Sequence, residues 1–227
     1  MARDYSLYCT DKFDVCTNKM GVTPIDILFS GATGAGKSTT LNALLGGGKA
    51  AVGKGADPET MEVTPYEFSK NVRFWDTPGL GDSPENDKRH IKKLDSILGK
   101  KYGKANGFGF IDMAVIIIDG SVRDMNTAFG IVRLTKKYLD DERIIVAVIQ
   151  ADFAMKGLHW DYTDNRPDAV LADFLDSRAR SVQHRLSEST GAKLGYPVCY
   201  SAEYDYNITG LLDEIIERLP SERRKMR

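Results

Sequence analysis

The stretch that decides the fold is Gly31-Ala32-Thr33-Gly34-Ala35-Gly36-Lys37-Ser38, which reads G-x-x-x-x-G-K-S. An apolar run at residues 25–29 precedes it, and a helix-like run at residues 38–45 follows it. A glycine-rich loop between a strand and a helix is the context in which this pattern forms a phosphate-binding P-loop. The sequence therefore predicts that this part of the chain holds the phosphates of a nucleotide.

Each residue type in this loop has a physical role in holding phosphate. Glycines let the backbone curl so that its N–H groups point at phosphate oxygens, and the helix N-terminus adds partial positive charge. Lys37 brings a mobile charge to the β- and γ-phosphates, and the Ser38 hydroxyl is a ligand for Mg²⁺. We expect the whole loop and the residue after it to contact the nucleotide: Gly31, Ala32, Thr33, Gly34, Ala35, Gly36, Lys37, Ser38 and Thr39.

Length and composition are those of an ordinary globular protein. The chain has 227 residues, a net charge of −1, 42% hydrophobic and 28% charged residues, which gives no global signal for nucleic acid or an acidic membrane. No apolar run approaches the roughly 18 residues that span a bilayer, and no signal peptide is visible. Cys9, Cys16 and Cys199 lack metal-binding spacing, so we interpret them as free thiols and expect a cytoplasmic protein.

Strand-like and helix-like patterns alternate along most of the chain. This alternation predicts a doubly wound α/β fold with a mostly parallel six-stranded sheet and one antiparallel edge strand. Pro65 cannot donate a ladder hydrogen bond, so the strand at 62–69 is expected at the edge. In such a fold the ligand lies at the carboxyl ends of the strands. Strands are predicted at 25–30, 62–69, 72–75, 113–118, 144–149 and 196–200.

Three segments are expected along the chain. Residues 1–22 are an N-terminal extension, either a short helix packed on the domain or a semi-ordered segment. Residues 23–220 form the nucleotide-binding domain, and residues 221–227 form a basic C-terminal tail. We expect the tail to be a frayed end, the alternative being a contact for phosphate or acidic lipid.

Two further motifs carry a family resemblance. Asp76-Thr77-Pro78-Gly79 follows the strand predicted at 72–75, and Ser201-Ala202 follows the last strand. Together with the P-loop they look like the G1, G3 and G5 boxes of a small GTPase domain. Over about residues 24–219 the chain resembles the Era-like group of bacterial P-loop GTPases, often described as ribosome-binding type. The wording of its P-loop is also similar to that of septins and the AIG1/Toc GTPases.

The resemblance implies a GTPase with Mg²⁺ as cofactor and GTP or GDP as ligand. Asp76 then takes the Mg²⁺ position, and Gly79 is the switch glycine that approaches the γ-phosphate. The switch I threonine is Thr60 or Thr64, and we favour Thr60 because β propensity alone explains Thr64 inside a predicted strand. The implied catalytic residues are Lys37, Thr60 and Gly79, and the implied metal ligands are Ser38, Thr60 and Asp76.

The guanine site departs from the family pattern N-K-x-D, because the aligned residues read Ile149-Gln150-Ala151-Asp152. Asp152 can accept from the N1–H and 2-amino groups of guanine, unless it merely caps a loop. Ile149 cannot make the hydrogen bonds of the family asparagine, so we expect reduced guanine affinity or discrimination, and an ATPase is the alternative. The residues expected around the base are Gln150, Asp152, Ser201, Ala202 and Glu203.

Two more departures concern hydrolysis. Leu80 stands where Ras-type enzymes have a water-orienting glutamine, and Gly34 stands where Era-like enzymes have a K⁺-holding asparagine. Asp82 and His90 lie nearby and are expected to be solvated rather than catalytic. We therefore expect a conformational switch with slow intrinsic turnover, or else a nucleotide-locked binding module. Faster turnover needs an activating protein or a second copy across the nucleotide face, and the ribosome is a partner by family resemblance only.

Overall fold

A twisted six-stranded sheet forms the centre of the structure, a computed structural model that describes residues 5, 8, 10–20, 24–46, 64–102, 107–121 and 123–226. Within these residues the strands are β1 (Ile25–Gly31), β2 (Thr64–Ser69), β3 (Val72–Asp76), β4 (Met113–Asp119), β5 (Ile144–Ile149), β6 (Trp160–Asp161), β7 (Arg166–Pro167) and β8 (Val198–Cys199). The large sheet has the order β2-β3-β1-β4-β5-β8. Every neighbouring pair is parallel except β2 and β3, and Pro65 lies in the antiparallel edge strand β2, so the predicted fold class is confirmed.

Helices pack on both faces of the sheet. They are α1 (Thr10–Met20), α2 (Lys37–Leu44), α3 (Pro84–Gly99), α4 (Asn126–Thr135), α5 (Ala169–Thr190) and α6 (Ile208–Glu217). Four of those described, α2 to α5, connect one strand to the next. Ser83 caps α3 by accepting the Asn86 N–H at 3.3 Å, and Pro84 stands in the first turn, where its missing N–H costs nothing. Asp168 caps α5 in the same way. None of the helices in the described ranges is both long and apolar enough to cross a membrane.

Two hydrophobic cores lie on opposite faces of the sheet. Along β4, Val115 and Ile117 join one core, whereas Ile116 and Ile118 join the other, because successive side chains of a strand point to opposite faces. Helices α1, α2 and α6 cover the first face, and α3, α4 and α5 cover the second. Burial on both faces holds the carboxyl edge of the sheet in place, and the loops that carry the motifs project from that edge.

The last strand of the sheet is shorter than predicted, and the connection from β5 to α5 contains a small hairpin. The last strand, expected at 196–200, pairs only at β8, because Pro197 has no N–H to donate and the exposed Tyr196 lies outside the sheet. The connection between β5 and α5 contains the β6–β7 hairpin. Trp160 is buried against the ring of Tyr206, with the two ring centroids 5.4 Å apart, so a small apolar cluster organises this connection.

The N-terminal segment forms a helix on the flank of the sheet. Phe13 of α1 is fully buried and its ring centroid lies 6.0 Å from that of Phe68 in β2. The hydroxyl of Tyr5 donates to Asp205, close to the last strand. For residues 10–20 the structure therefore shows the packed helix, whereas residues 1–4, 6, 7, 9, 21 and 22 of the predicted extension lie outside the described residues.

The basic C-terminal run differs from the expected frayed end. Arg223 is 2% exposed, and its guanidinium lies 3.4 Å from a carboxylate oxygen of Asp112 and 3.7 Å from one of Asp26. Arg224 is 5% exposed and donates to the carbonyl oxygen of Leu98 at 2.7 Å. The expectation was wrong because the amino-terminal end of the sheet buries carboxylates and carbonyl oxygens to which these guanidinium groups donate or lie close. Neither arginine is therefore available to phosphate or lipid.

Candidate nucleotide site

The P-loop connects β1 to α2 at the carboxyl edge of the sheet. Gly34 and Gly36 have φ of 75° and 87°, a left-handed conformation that glycine adopts without strain. Gly36 is the N-cap residue of α2, so the loop folds directly over the N-terminus of that helix. The first N–H groups of a helix have no partner within it, and together with the helix dipole they make this terminus suited to an anion.

Lys37 is the first residue of α2 and is buried inside the loop. Its ammonium donates to the carbonyl oxygens of Ala32 at 2.8 Å and Gly31 at 3.3 Å, and the residue is 7% exposed. Burial lowers the pKa of Lys37, and the nearby Asp76 carboxylate acts in the opposite direction. The ammonium therefore lies within the cradle that the loop forms.

The residues expected to hold Mg²⁺ meet beside this lysine. The Ser38 hydroxyl donates to Asp76 Oδ2 at 3.4 Å, and Asp76 Oδ1 is buried with no hydrogen-bond partner among the described residues. Burial raises the pKa of Asp76, and Lys37 opposes this shift. A buried carboxylate oxygen without a partner, next to a hydroxyl, fits a hard cation that prefers oxygen ligands. Thr60 lies outside the described residues, and Thr64 begins β2, in register with Asp76.

The segment after Asp76 lies directly on the P-loop. A β-carbon at Gly79 would be 2.5 Å from Thr33 Cα, so only glycine fits this approach without movement. Thr33 N–H donates to Leu80 O at 2.7 Å, and Leu80 N–H donates to Gly31 O at 3.3 Å. The Leu80 side chain is 6% exposed and belongs to the core between α3 and α4. The switch glycine is thus held at the rim of the phosphate cradle.

The two polar residues near this segment behave differently. Asp82 is exposed and accepts from the amide of Asn86 at 2.8 Å, in line with a solvated loop residue. His90 is only 8% exposed, and its Nδ1 lies 2.6 Å from the carbonyl oxygen of Gly79. The expectation of a solvated His90 was wrong because the residue lies on the buried face of α3 and its ring finds a backbone acceptor there.

A cleft of about 390 Å³ lies beside the P-loop, at the ends of β5 and β8. One of its lining residues, Phe153, was not predicted from the sequence, although it directly follows the predicted base residue Asp152. The structure thus brings the predicted base and phosphate residues to one place. The cleft is lined by Gly34, Gly36, Thr39, Ile149, Gln150, Asp152, Phe153, Ser201, Ala202 and Glu203.

Buried hydrogen bonds join the base side of the site to the phosphate side. Tyr200, the residue before Ser201, is fully buried, and its hydroxyl lies 2.6 Å from the Thr40 hydroxyl. Thr40 in turn donates to the carbonyl oxygen of Gly36 at 2.8 Å. Ala151 N–H donates to Tyr200 O at 3.1 Å. No local sequence pattern predicts this chain of contacts, because Tyr200 and Thr40 lie 160 positions apart.

A P-loop with a strand-end carboxylate and a glycine switch segment, combined with a base cleft on this sheet, defines the class of P-loop GTPases. The sequence matches the family described as "50S ribosome-binding GTPase" over residues 26–156. This match covers more than half of the chain, so the chain belongs to that family. Its predicted resemblance to the ribosome-binding type of P-loop GTPase is confirmed.

Similar proteins agree with this assignment. The T-cell-specific guanine nucleotide triphosphate-binding protein 2 of Mus musculus is 46% identical over 71 residues, which are 28% of this chain and 17% of that protein. The match thus spans less than a fifth of this curated relative. Toc33 of Arabidopsis thaliana, in a dimerization-deficient mutant, has a TM-score of 0.64 at 14% identity, covering 96% of this chain and 94% of that one. Era in complex with 16S ribosomal RNA nucleotides has a TM-score of 0.58 at 17% identity, covering 88% and 58%. Both structural similarities show the fold alone.

Proposed function

We propose that this chain is a Mg²⁺-dependent conformational switch that binds GTP and GDP and hydrolyses GTP slowly by itself. The observation that carries the proposal is the buried Oδ1 of Asp76, which has no hydrogen-bond partner among the described residues and lies beside the Ser38 hydroxyl, at the mouth of the loop that encloses Lys37. An oxygen in this state costs free energy unless a cation or donor reaches it. Asp76 Oδ1 would be satisfied if a Mg²⁺ ion entered the site together with a nucleoside phosphate.

Ser38 and Asp76 would hold the ion, with Thr60 as the proposed third protein ligand. When bound, Mg²⁺ neutralises charge on the β- and γ-phosphate oxygens. Toc33 has been solved in complex with Mg²⁺ and GMPPNP, which supports this cofactor for a protein of the same fold.

The chain's own groups supply the rest of the phosphate site. Lys37 here donates to the carbonyl oxygens of Ala32 and Gly31, and it would exchange these for phosphate oxygens, which are stronger acceptors. The backbone N–H groups at the start of α2 form the positive end of the helix dipole at the same place. Gly79 would offer its N–H to the γ-phosphate, which only a triphosphate carries. This last contact makes the site responsive to hydrolysis.

We expect slow turnover because of the residues near the position that the attacking water would occupy. Leu80 has its side chain in the core, so it neither accepts from water nor orients it. Gly34 has no side chain with which to hold a monovalent cation. Charge stabilisation by Lys37 and the loop remains. We therefore infer an intrinsic rate well below the roughly 1–100 s⁻¹ of efficient phosphoryl-transfer enzymes.

A partner would supply the missing group. The nucleotide face carries Phe153, 53% exposed, and the exposed Glu203, so a second molecule could approach the site there. The dimerization-deficient mutant of Toc33 supports pairing between copies of such a fold, and the RNA-bound Era structure supports a ribosomal partner. We favour a second copy across the nucleotide face or an activating protein.

The test is phosphate release per molecule, measured with GTP and Mg²⁺ over a wide range of protein concentrations. We expect a low rate in dilute solution, an increase with concentration or on adding a cellular partner, and no turnover in excess EDTA. The Lys37→Ala variant is the negative control. A demonstrably monomeric sample that turns over at several per second would contradict slow intrinsic hydrolysis, and activity that persists in EDTA would contradict the Mg²⁺ dependence.

A further inference from the structure

Helix α3 contacts the switch segment, residues 79–81, at two points. Asp87 Oδ1 accepts the N–H of Gly81 at 2.7 Å, and His90 Nδ1 lies 2.6 Å from the carbonyl oxygen of Gly79. Residues three apart lie on the same face of a helix, so Asp87 and His90 form one clamp. The clamp holds the backbone on both sides of Leu80, whose side chain is buried beneath it.

The contact at His90 fixes the location of a proton. A carbonyl oxygen only accepts, so Nδ1 must carry the hydrogen, either in the neutral Nδ1–H tautomer or in the imidazolium. Because His90 is 8% exposed, water replaces this hydrogen bond poorly when it is lost. His90 is not needed to cap α3, since Ser83 does that. The ring nitrogen of His90 is therefore available to hold the Gly79 carbonyl oxygen.

Gly79 is confined from the opposite side by the P-loop. Its Cα approaches Thr33 so closely that a β-carbon would lie 2.7 Å from Thr33 N. Hydrogen bonds from Thr33 to Leu80 and from Leu80 to Gly31 set the register between the two segments. The position of the Gly79 peptide is thus determined by the P-loop on one side and by His90 on the other.

We propose that His90 is a positioning residue: by holding the carbonyl oxygen of Gly79 it fixes the backbone of this residue beside the P-loop, so that the Gly79 N–H, which belongs to the preceding peptide unit, is ready for a γ-phosphate. This role rests on the proposed contact between Gly79 and the γ-phosphate. GDP has no γ-phosphate, so its binding does not depend on how Gly79 is held. The effect of His90 is therefore selective for the triphosphate, and α3 is the element that changes its contacts when the switch segment moves.

Two conservative variants separate this role from a packing role. The side-chain amide nitrogen of asparagine can take the place of Nδ1, so His90→Asn keeps a donor to Gly79 O. The amide of His90→Gln reaches one bond further and misses it. Lys92→Ala, at an exposed position of α3, is the matched control. The measurements are the affinities for GDP and for GMPPNP with Mg²⁺ and the single-turnover hydrolysis rate of GTP.

We expect His90→Gln to weaken GMPPNP binding and to slow hydrolysis by up to about tenfold, the effect of one hydrogen bond. GDP binding should change by less than about twofold, and His90→Asn should stay within about threefold of the wild type in all three measurements. If His90→Gln does not fold, His90→Asn alone tests the proposal. A selective loss of GMPPNP binding by His90→Asn, which retains the donor, would overturn it. Equal losses for GDP and GMPPNP, or equal behaviour of the two variants, also overturn it. Failure of wild type and Lys92→Ala to bind either nucleotide would instead contradict the proposed function.

Discussion

Ile149 packs directly on Gly36, so closely that a β-carbon at residue 36 would lie 2.5 Å from Ile149 Cδ1. Ile149 ends β5 and is 3% exposed, and Gly36 is the N-cap residue of α2. The end of the base-side strand is therefore joined to the P-loop by an apolar contact, at the position where the family pattern has an asparagine. With isoleucine in place of asparagine, the contact between this strand end and the P-loop is kept, and the hydrogen bonds of the asparagine side chain are lost.

Replacing Ile149 by asparagine should separate these two contributions. We expect Ile149→Asn to bind GTP and GDP more tightly, by up to about 1.5 kcal/mol for one added hydrogen bond. The nucleotide-free protein should lose about 1–3 kcal/mol of unfolding free energy, because a buried apolar contact is replaced by an amide. Calorimetric titration and urea denaturation measure the two effects, with Ile149→Val as the control. Weaker nucleotide binding by the asparagine variant, with stability unchanged, would show that Ile149 does not stand in for the family residue.

Asp152 is the residue expected to recognise the base. Asp152→Asn should weaken GTP and admit XTP, because the change turns an acceptor into a donor towards the N1 and C2 groups of the purine. Competition among GTP, XTP and ATP for a fluorescent nucleotide measures the preference, and Asp173→Asn, at an exposed position of α5, is the control. An unchanged order of preference would mean that Asp152 only caps its loop.

Leu80 is expected to act through packing and not through catalysis. Leu80→Ala should lower the unfolding free energy by about 2–5 kcal/mol, because it opens a cavity between α3 and α4. At a temperature where the variant is folded, its hydrolysis rate should stay close to that of the wild type. Ile91→Ala is a suitable control because Ile91 on the same helix is 45% exposed. If the folded variant binds GTP but has lost hydrolysis, Leu80 has a role in the reaction that packing does not explain.

Asp112 gives the amino-terminal end of the sheet a defined pH dependence. Burial raises the pKa of Asp112 to about 6, although Arg223 opposes the shift. In the unfolded chain the ordinary pKa is about 3.9. A group with a raised folded-state pKa contributes stability that is complete below the unfolded pKa and is lost as the pH rises through the folded one. The unfolding free energy of the wild type relative to Asp112→Asn should therefore fall between about pH 4 and pH 7. Urea denaturation at several pH values measures it, and a difference that rises with pH would contradict the assignment.

The parts of the fold that sequence predicted share a physical basis. A strand buried on both faces needs apolar residues at nearly every position, and β4 and β5 have them, so both were visible as dense apolar runs. The P-loop needs glycines at the two left-handed positions, Gly34 and Gly36, which fixes its spacing. Local requirements of this kind are written in consecutive residues.

The parts that sequence missed depend on residues distant along the chain. Arg223 looks like part of a charged tail until Asp26 and Asp112, which lie beside it in space, are known. His90 belongs to an ordinary amphipathic pattern, and nothing in that pattern shows that its ring meets the Gly79 carbonyl. The same is true of Tyr200 and Thr40, whose hydroxyl groups meet across 160 positions of sequence. The roles of such residues depend on tertiary contacts, which a local sequence pattern does not show.

Nucleotide binding by the wild type and by Lys37→Ala tests the central claim most directly. The variant should stay folded, because the buried ammonium donates to P-loop carbonyls that water can reach once the side chain is shortened. We predict that, with Mg²⁺, the wild type binds GTP and GDP more tightly than ATP, and that folded Lys37→Ala no longer binds GTP detectably. Tight GTP binding by Lys37→Ala, or a preference of the wild type for ATP, would contradict the account.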